Sequence, residues 1–265
     1  LGNNTPYVTH IRFLPNRFPK RLFNFWLRLH LRYAERVIAV SQSVLNQLPQ
    51  HSKLTLVYDE LPIEEKYPDL TVSDASKSVF IFLYLSNFIK GKGQDFALEA
   101  FGKVHYQLPD WKLRFVGGDM GLKKNLKYKE SLKQRAIKLG IFEKTEWVSF
   151  TEDVELEYKH ADIVLNFSES ESFSITCLEA LSFGRPVIAT DCGGPREIID
   201  HEETGLLVAN RDINSMVNAM MKLALDRKSR LTMGIEAKKR MKIKFGSGKT
   251  IETIQTVFDT ALKQK

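Results

Sequence analysis

The sequence contains only two cysteines, Cys177 and Cys192, in 265 residues. Because they are so few and lie in apolar or glycine-rich surroundings, they argue against a disulfide framework and for a reducing compartment. The chain also has no uninterrupted apolar run near the roughly 18 residues that a membrane-spanning helix needs, and no signal peptide opens it. We therefore expect a cytoplasmic protein that is at most peripheral at the inner face of a membrane.

Metal-binding and phosphate-loop patterns are absent as well. The six histidines are scattered and no Asp-x-Asp sequence occurs, so we expect no metal site. The stretch "GSGKT" (246–250) resembles a phosphate-binding loop, but that loop requires a preceding strand and a glycine at the position of Ile243. A basic helix precedes it instead, so the stretch predicts no nucleotide site.

What the chain has is the composition of a globular protein, with 43% hydrophobic and 27% charged residues. Its length suits one large domain or two ordinary ones. The net charge of +7 favours anionic partners, namely phosphorylated small molecules, acidic membrane surfaces or nucleic acid. The chain begins with Leu1 rather than methionine, which suggests a fragment or a processed chain.

Short apolar runs alternate with segments of helical periodicity. Strands are predicted at 7–10, 36–41, 54–59, 79–85, 112–118, 146–150, 162–167, 186–190 and 205–208. Strands bounded by turns and separated by helices are typical of parallel sheets covered on both faces. The predicted fold class is α/β, with a complete doubly wound domain at 79–248 and the last part of a second domain at 1–60. A linker is predicted at 61–78, and a C-terminal helix at 249–265 that packs back on the N-terminal domain.

The stretch "ESFSITCLEA" (171–180) follows a predicted strand and opens a helix. In such folds ligands bind beyond the carboxyl ends of the strands, and phosphates bind at helix N-termini. Ser172 and Ser174 are candidate N-caps, Glu171 lies in the loop, and Glu179 lies roughly 12 Å further on if the segment is helical. Carboxylates flanking a diphosphate suit sugar hydroxyls, which donate hydrogen bonds to them. The alternative is that both glutamates are solvated acids without a role.

Further motifs accompany this stretch. They are "GRPVIA", "GGPREII" and "GLLV" within 161–208, and "KGQDFALEAF" (92–101), "LRFVGGD" (113–119) and "RVIAVSQSVLNQL" (36–48) outside it. Together they closely resemble family 4 glycosyltransferases, which are retaining enzymes with two Rossmann-like domains, the GT-B architecture. The resemblance covers nearly the whole chain, but the first strand and the glycine-rich loop of the family's N-terminal domain have no counterpart in it.

The resemblance implies roles for individual residues. Glu179 would bind the ribose hydroxyls of a nucleotide sugar, and Glu171 would bind hydroxyls of the donor sugar. Backbone N–H groups at the helix start would face the sugar and the diphosphate. The further donor-binding residues implied in this way are Ser172, Phe173, Ser174, Ile175, Thr176 and Gly117.

Family members also carry an arginine and a lysine, five residues apart, that neutralise the departing diphosphate. In "LSNFIKGKGQD" the lysine position is Lys92, but the arginine position is Asn87 and the glycine before it is Ser86. An asparagine donates only a neutral hydrogen bond, so charge-assisted stabilisation is lost there. Lys90 is the candidate that compensates. The alternative is that Lys90 and Lys92 form a solvated basic turn.

His10 ends the first predicted strand. By the resemblance it corresponds to a histidine that contacts the donor sugar near the reacting carbon, from across the cleft. The alternative is a buried polar residue after a strand. Arg12 and Arg17 follow, and we expect them to face an acceptor or a phosphate.

A helix is predicted at 21–36, and Arg21, Arg28, Arg32 and Arg36 form a basic stripe on it among aromatic residues. Basic amphipathic helices of this kind lie at anionic membrane surfaces. The alternative is a core-facing helix along which the arginine stems extend. The sequence leaves both interpretations open.

The sequence therefore predicts a retaining hexosyltransferase without a metal ion or cofactor, with Glu171, Lys92 and His10 as catalytic candidates. The donor would be a nucleotide diphosphate sugar, with UDP or GDP as its nucleotide, and the acceptor a glycan or a lipid-linked glycan. No nucleic acid partner is expected. By the resemblance, the leaving phosphate deprotonates the acceptor on the same face of the sugar.

A second hypothesis is a non-catalytic nucleotide-sugar-binding module, or the donor half of a two-chain enzyme. Asn87 and the incomplete N-terminal domain favour it. On this view a partner chain completes the N-terminal domain, and the present chain alone does not transfer sugar. The motif set disfavours a third hypothesis, a sugar-nucleotide epimerase of the same architecture.

Overall fold

The structure is a computed structural model that describes residues 5–61, 78–246 and 248–263. Within these residues, nine strands form two parallel sheets. The first sheet has the order β1-β2-β3, and its strands are β1 (Val8–Ile11), β2 (Arg36–Ala39) and β3 (Leu54–Leu56). The predicted linker at 61–78 lies outside the described residues, except for its two end residues.

The second sheet has the strand order β6-β5-β4-β7-β8-β9. Its described strands are β4 (Phe80–Leu85), β5 (Trp111–Val116), β6 (Thr145–Val148), β7 (Ile163–Asn166), β8 (Val187–Thr190) and β9 (Gly205–Val208). Each predicted strand of this region is present, with ends displaced by at most two residues, which confirms the doubly wound α/β class. The order reverses between β4 and β7, and ligands of such sheets bind where the order reverses.

Helices cover the sheets. Those described are α1 (Lys20–Tyr33), α2 (Gln42–Leu45), α3 (Gln94–Val104), α4 (Lys123–Lys138), α5 (Val154–His160), α6 (Ile175–Ser182), α7 (Pro195–Ile198), α8 (Ile213–Leu225), α9 (Arg227–Phe245) and α10 (Lys249–Lys263). The predicted helix at 21–36 ends earlier than expected, because Arg36 is the first residue of β2. None of the described helices is long and apolar enough to cross a membrane.

Side chains of β4 alternate between two apolar cores. Phe82 and Tyr84 belong to one core and Leu83 to the other, as the period of two in a strand requires. The core of Leu83 extends to the first sheet, where it includes Val37 and Ala39. The two sheets therefore share one apolar core, and this shared core fixes their relative position.

Helix α10 packs on the first sheet. Val257 of α10 contacts Ile38 and Val57 in a small apolar cluster. At the start of the helix, Thr250 Oγ1 donates a hydrogen bond to the carbonyl of Tyr58 at 3.0 Å. The end of the chain thus returns to its beginning and covers one face of the three-stranded sheet.

Candidate functional site

A cavity of about 250 Å³ lies between the two sheets, at the carboxyl ends of β4 and β7. This is the point where the strand order of the second sheet reverses. Three regions form its walls: the ends of the first sheet, the turn after β4 and the loop between β7 and α6. Its lining residues are Arg12, Val40, Asp59, Tyr84, Leu85, Ser86, Lys92, Asn166, Ser168, Glu171, Ser172, Phe173, Ser174, Ile175 and Thr176.

Glu171 and Lys92 contact each other in this cavity. Lys92 Nζ donates to Glu171 Oε1 at 2.9 Å, and Ser168 Oγ donates to the same oxygen at 2.8 Å. The Lys92 and Glu171 side chains are only 34% and 15% exposed, so their attraction is less screened than that of a surface pair. Among the described residues Glu171 Oε2 accepts no hydrogen bond, so it is open to a hydroxyl group of a ligand.

Two consecutive glycines place the backbone of Glu171. Gly194 N–H donates to the carbonyl of Glu171 at 2.9 Å, and Gly193 has a φ of +130°. A Cβ atom on Gly194 would lie 2.1 Å from the carbonyl oxygen of Phe173. Only glycine therefore allows these two segments to approach so closely. The glycine pair of "GGPREII" thus supports the loop that carries Glu171, a role that the motif alone does not indicate.

Tyr84 fixes the turn that carries Lys92. Its hydroxyl donates to the carbonyl of Lys92 and accepts from Phe167 N–H, the latter at 2.8 Å. Burial raises the pKa of Tyr84 well above its ordinary value, so the hydroxyl keeps its proton. Gly93 follows Lys92 with a φ of +81°, and a Cβ there would lie 2.0 Å from the Phe167 carbonyl oxygen. Tyr84 is not recognisable as a site residue from the sequence, because a tyrosine in an apolar strand has the pattern of a core residue.

Helix α6 presents its N-terminus to the cavity. Ser174 is its N-cap, as predicted, and Ser174 Oγ accepts from Cys177 N–H at 3.3 Å and from Asn166 Nδ2 at 2.9 Å. Ile175 and Thr176 of the first turn line the cavity. Because N–H groups of a first turn have no partner within the helix, this end of α6 is suited to bind an anion.

Ser172 and Phe173 join this loop to the rest of the protein. The prediction of Ser172 as an N-cap is wrong, because the helix begins after Ser174 and Ser172 Oγ donates to the carbonyl of Arg12 at 2.9 Å. The ring of Phe173 is buried and lies 5.6 Å from the ring of Tyr58, measured between centroids. The side chain of Phe173 is therefore part of the core.

Glu179 lies further along α6, outside the lining of the cavity. Tyr158 OH donates to Glu179 Oε2 at 2.8 Å. Burial raises the pKa of Glu179, and the hydrogen bond from Tyr158 opposes this effect. Among the described residues no lysine or arginine forms an ion pair with Glu179, so its carboxylate is a partly buried acceptor without a counter-charge.

Asn87, Gly117 and Lys90 lie near the ends of β4 and β5. Asn87 Oδ1 accepts from Gly118 N–H at 3.1 Å, so its carboxamide joins the two strand ends. Gly117 lies against the backbone of Ser86, and a Cβ on Gly117 would be 2.1 Å from the Ser86 carbonyl oxygen. Lys90 is exposed. The structure does not bring these three candidates into the lining of the cavity.

The first sheet reaches the cavity through Arg12 and Asp59. Arg12 donates to both carboxylate oxygens of Asp59, at 2.7 Å and 2.6 Å. His10 is exposed on β1 and lies outside the lining, and partial desolvation together with the Arg12 charge lowers the pKa of His10. Arg12 is among the residues predicted to face a ligand, but Asp59 is not. The available signal was an acid at the end of the predicted strand 54–59, at the edge where ligands bind.

The two cysteines are free thiols, as the sequence predicts. Burial raises the pKa of Cys177 to about 12 and that of Cys192 to about 11, so both thiols keep their protons. Neither is therefore an activated nucleophile. Within 5–61, 78–246 and 248–263, no group of three or more histidine, cysteine, aspartate or glutamate side chains is arranged to hold a metal ion.

Comparison with known proteins gives a consistent result. A family model described as "Glycosyl transferases group 1" matches residues 70–240. N-acetyl-alpha-D-glucosaminyl L-malate synthase of Bacillus anthracis is 27% identical over 258 residues, which cover 91% of this chain and 63% of that protein. Alpha-1,3/1,6-mannosyltransferase ALG2 of Dictyostelium discoideum is 30% identical over 216 residues, which cover 76% of this chain and 50% of that protein. The chain thus spans less than two thirds of the length of either relative.

A solved structure shares the fold. The crystal structure of Anabaena Alr3699/HepE in complex with UDP-glucose matches with a TM-score of 0.83 at 21% identity, covering 97% of this chain and 72% of that one. The match extends over both sheets, so the GT-B-like arrangement is confirmed for the described residues.

Proposed function

The chain belongs to the glycosyl transferases group 1, and from this premise we propose that it transfers a hexose from a nucleotide diphosphate sugar to a glycan or glycolipid. The anomeric configuration is retained and no metal ion takes part. One observation carries the proposal: the N-terminus of α6 lies beside the paired Lys92 and Glu171, in a cavity between the two sheets. The UDP-glucose in the matching structure supports a nucleotide-sugar donor, and the name of the mannosyltransferase relative supports transfer of a hexose.

The donor binds along the loop between β7 and α6. The diphosphate lies at the start of α6, where the free N–H groups and the helix dipole favour an anion. Lys92 exchanges its bond to Glu171 for one to the diphosphate and stabilises the charge that develops as the diphosphate leaves. Glu171 then accepts hydrogen bonds from hydroxyl groups of the sugar. Glu179 accepts from the ribose hydroxyls.

The acceptor approaches from the first sheet, where Arg12 and Asp59 line the cavity and His10 lies nearby. A bond forms between the acceptor oxygen and the anomeric carbon while the bond from that carbon to the diphosphate breaks. The acceptor proton passes to an oxygen of the leaving phosphate on the same face of the sugar. This route needs no protein nucleophile.

A thermal shift assay with UDP, GDP and ADP tests the donor site. A nucleotide present at about 100 times its dissociation constant raises the free energy of unfolding by about 2.7 kcal/mol, and the base that acts at the lowest concentration identifies the donor. Glu179→Ala should remove most of this shift. Glu203→Ala, at an exposed loop position, is the matched control and should retain it. Absence of any shift with all three nucleotides would refute the donor site.

Transfer itself requires a separate assay. Labelled nucleotide sugars are incubated with glycan and lipid-linked acceptors, and the anomeric proton of the product is examined by NMR. We expect the configuration of the donor to be kept and the rate to be unchanged by EDTA. An inverted product or a chelator-sensitive rate would overturn the corresponding part of the proposal.

A second function is favoured by Asn87. Its carboxamide oxygen is bound by Gly118 N–H, and the side chain brings no positive charge to the diphosphate. A chain weakened in this way would bind nucleotide sugars without catalysis, as a binding module or as the donor half of a two-chain enzyme. A thermal shift with a nucleotide diphosphate, combined with no transfer to any acceptor, would identify this function.

A further inference from the structure

Helix α1 carries an apolar stripe on the side that faces away from the first sheet. The stripe residues Leu22, Phe25, Leu29 and Tyr33 are 62%, 61%, 40% and 53% exposed. They recur at steps of three and four residues, so they line one side of the helix. The opposite side, with Phe23 and Leu27, is buried in the core. The helix therefore has its core-facing side and, in addition, an apolar side open to solvent.

Arginines accompany the stripe along its length. Arg21, Arg28 and Arg32 are exposed, and their helical positions place them side by side along one flank of the stripe. Helix α1 contains no acidic residue. In the first 34 residues of the chain, six are lysine or arginine and none is aspartate or glutamate. Among the described residues, no carboxylate forms an ion pair with these three arginines.

We propose that this surface, the stripe together with Arg21, Arg28 and Arg32, docks on an anionic lipid bilayer. The apolar side chains enter the boundary between headgroups and acyl chains, and the guanidinium groups bind the anionic headgroups. The surface is both apolar and cationic, and this combination favours an anionic bilayer over an apolar protein partner or a second copy of the chain. A purely apolar partner would leave the arginines unpaired, and a second copy related by two-fold symmetry would set a cationic surface against itself.

The position of α1 brings the bilayer close to the cavity. The chain passes from β1 through Arg12, which lines the cavity, and through the short helical turn Pro15–Arg17 into the start of α1. The N-terminal end of α1 therefore lies at the cavity edge of the first sheet. The docking does not depend on the transfer reaction proposed above.

Vesicle flotation tests the proposal. The chain should float with vesicles of phosphatidylcholine that contain phosphatidylglycerol, float much less with phosphatidylcholine alone, and detach as the salt concentration rises. Arg28→Gln combined with Arg32→Gln should weaken the partition coefficient about 30-fold, since two cations near the surface are lost. The matched control is Lys123→Gln combined with Lys124→Gln, which removes the same charge from exposed positions of α4. It should change binding only about twofold, because these lysines are not at the docking surface.

A second pair of variants tests the apolar stripe. Phe25→Gln with Leu29→Gln should abolish flotation at moderate salt. Its matched control is Phe258→Gln with Leu262→Gln, a phenylalanine and a leucine at the same spacing on α10 that are 51% and 64% exposed. This control should float as the unmodified chain does. Circular dichroism of each variant verifies that the fold is kept.

Several results would overturn the proposal. One is no flotation with anionic vesicles, and another is an equal loss in the α1 and control variants, which would indicate non-specific attraction. A third is a dimer in sedimentation equilibrium that Phe25→Gln with Leu29→Gln dissociates, because a second copy would then cover the stripe.

Discussion

Ser174 holds a backbone conformation that glycine adopts more easily, and we predict a stability consequence. Its φ is +99° and its ψ is +83°, in a region that side chains with a Cβ atom rarely occupy. A non-glycine residue held there costs about 1–2 kcal/mol. We therefore expect Ser174→Gly to be clearly more stable than Ser174→Ala, since only the alanine variant keeps this strain. Both variants lose the bonds that Ser174 Oγ accepts, so that loss cancels in the comparison.

Ser41 provides the matched control. It is also a buried serine at a helix N-cap, and its Oγ accepts from Val44 N–H at 3.1 Å. Its φ of −155° is ordinary extended backbone, so no strain is present. There the glycine and alanine variants differ only by the N-cap preference for glycine, about 0.5–1 kcal/mol. At Ser174 this preference and the strain add to about 2 kcal/mol.

Thermal unfolding of the four single variants measures both differences. For a chain of this size, about 1 kcal/mol shifts Tm by about 2–4 °C. The gap between the glycine and alanine variants should therefore be about 4–8 °C at position 174 and about 1–4 °C at position 41. The two sites are independent enough for the differences to be subtracted. If the gap at position 174 is no larger than the gap at position 41, the strain argument is wrong.

Three further predictions concern the site. Burial raises the pKa of Glu179, so protonated Glu179 contributes to stability below the ordinary glutamate pKa, and this contribution is lost as the pH rises through the raised pKa. Glu179→Gln should flatten that part of a profile of stability against pH. An unchanged profile would contradict the burial argument. Lys92→Met should lower turnover about 10²–10³-fold, because it removes the cation at the diphosphate. The control Lys138→Met, at an exposed position of α4, should leave the rate unchanged. Equal effects of the two substitutions would count against the role of Lys92. Asn87→Arg should raise turnover more than donor affinity, because the added charge acts mainly in the transition state. The same substitution should cost about 1 kcal/mol of stability through the lost bond to Gly118 N–H, and unchanged turnover would show that another group already supplies the charge.

The strands of the second sheet could be predicted because their local composition indicates that they are buried. All four residues of β7 and of β8 are buried, and both strands are short apolar runs between turn residues. The N-cap of α6 could be predicted to within two serines, Ser172 and Ser174, from their place before a helix-forming run, and only Ser174 takes this role. In each case the information lies within a few consecutive residues.

The pairing of site residues could not be predicted in this way. Lys92 and Glu171 are 79 positions apart in the chain, and Ser172 and Arg12 are 160 apart. The positive φ of Ser174 could not be predicted either. It occurs in a loop whose neighbouring residue, Phe173, packs against Tyr58 and lies against the backbone of Gly194, and both contacts come from distant parts of the chain. Periodicity reports the burial of one segment and not its partner in space. Contacts between distant segments therefore come from the fold alone.

The placement of the cavity depends on residues that do not line it. Glu197, in the motif "GGPREII", accepts hydrogen bonds from the N–H groups of Gln42 and Ser43 at 2.8 Å and 2.7 Å, so it links α7 to the start of α2 across the cleft. Burial, with a smaller effect of the Glu197 charge and hydrogen bond, raises the pKa of Tyr58 to about 12, so the Tyr58 hydroxyl remains a donor.

The ring of the same tyrosine contacts Phe173, which belongs to the loop of Glu171. Each such contact contributes about 1 kcal/mol, but together they hold two walls that come from different sheets. Since transfer depends on the distance between donor and acceptor groups, a shift of about 1 Å between the walls is enough to impair it. A motif residue such as Glu197 can therefore be required for activity without touching a substrate, because it fixes where the two halves of the site meet.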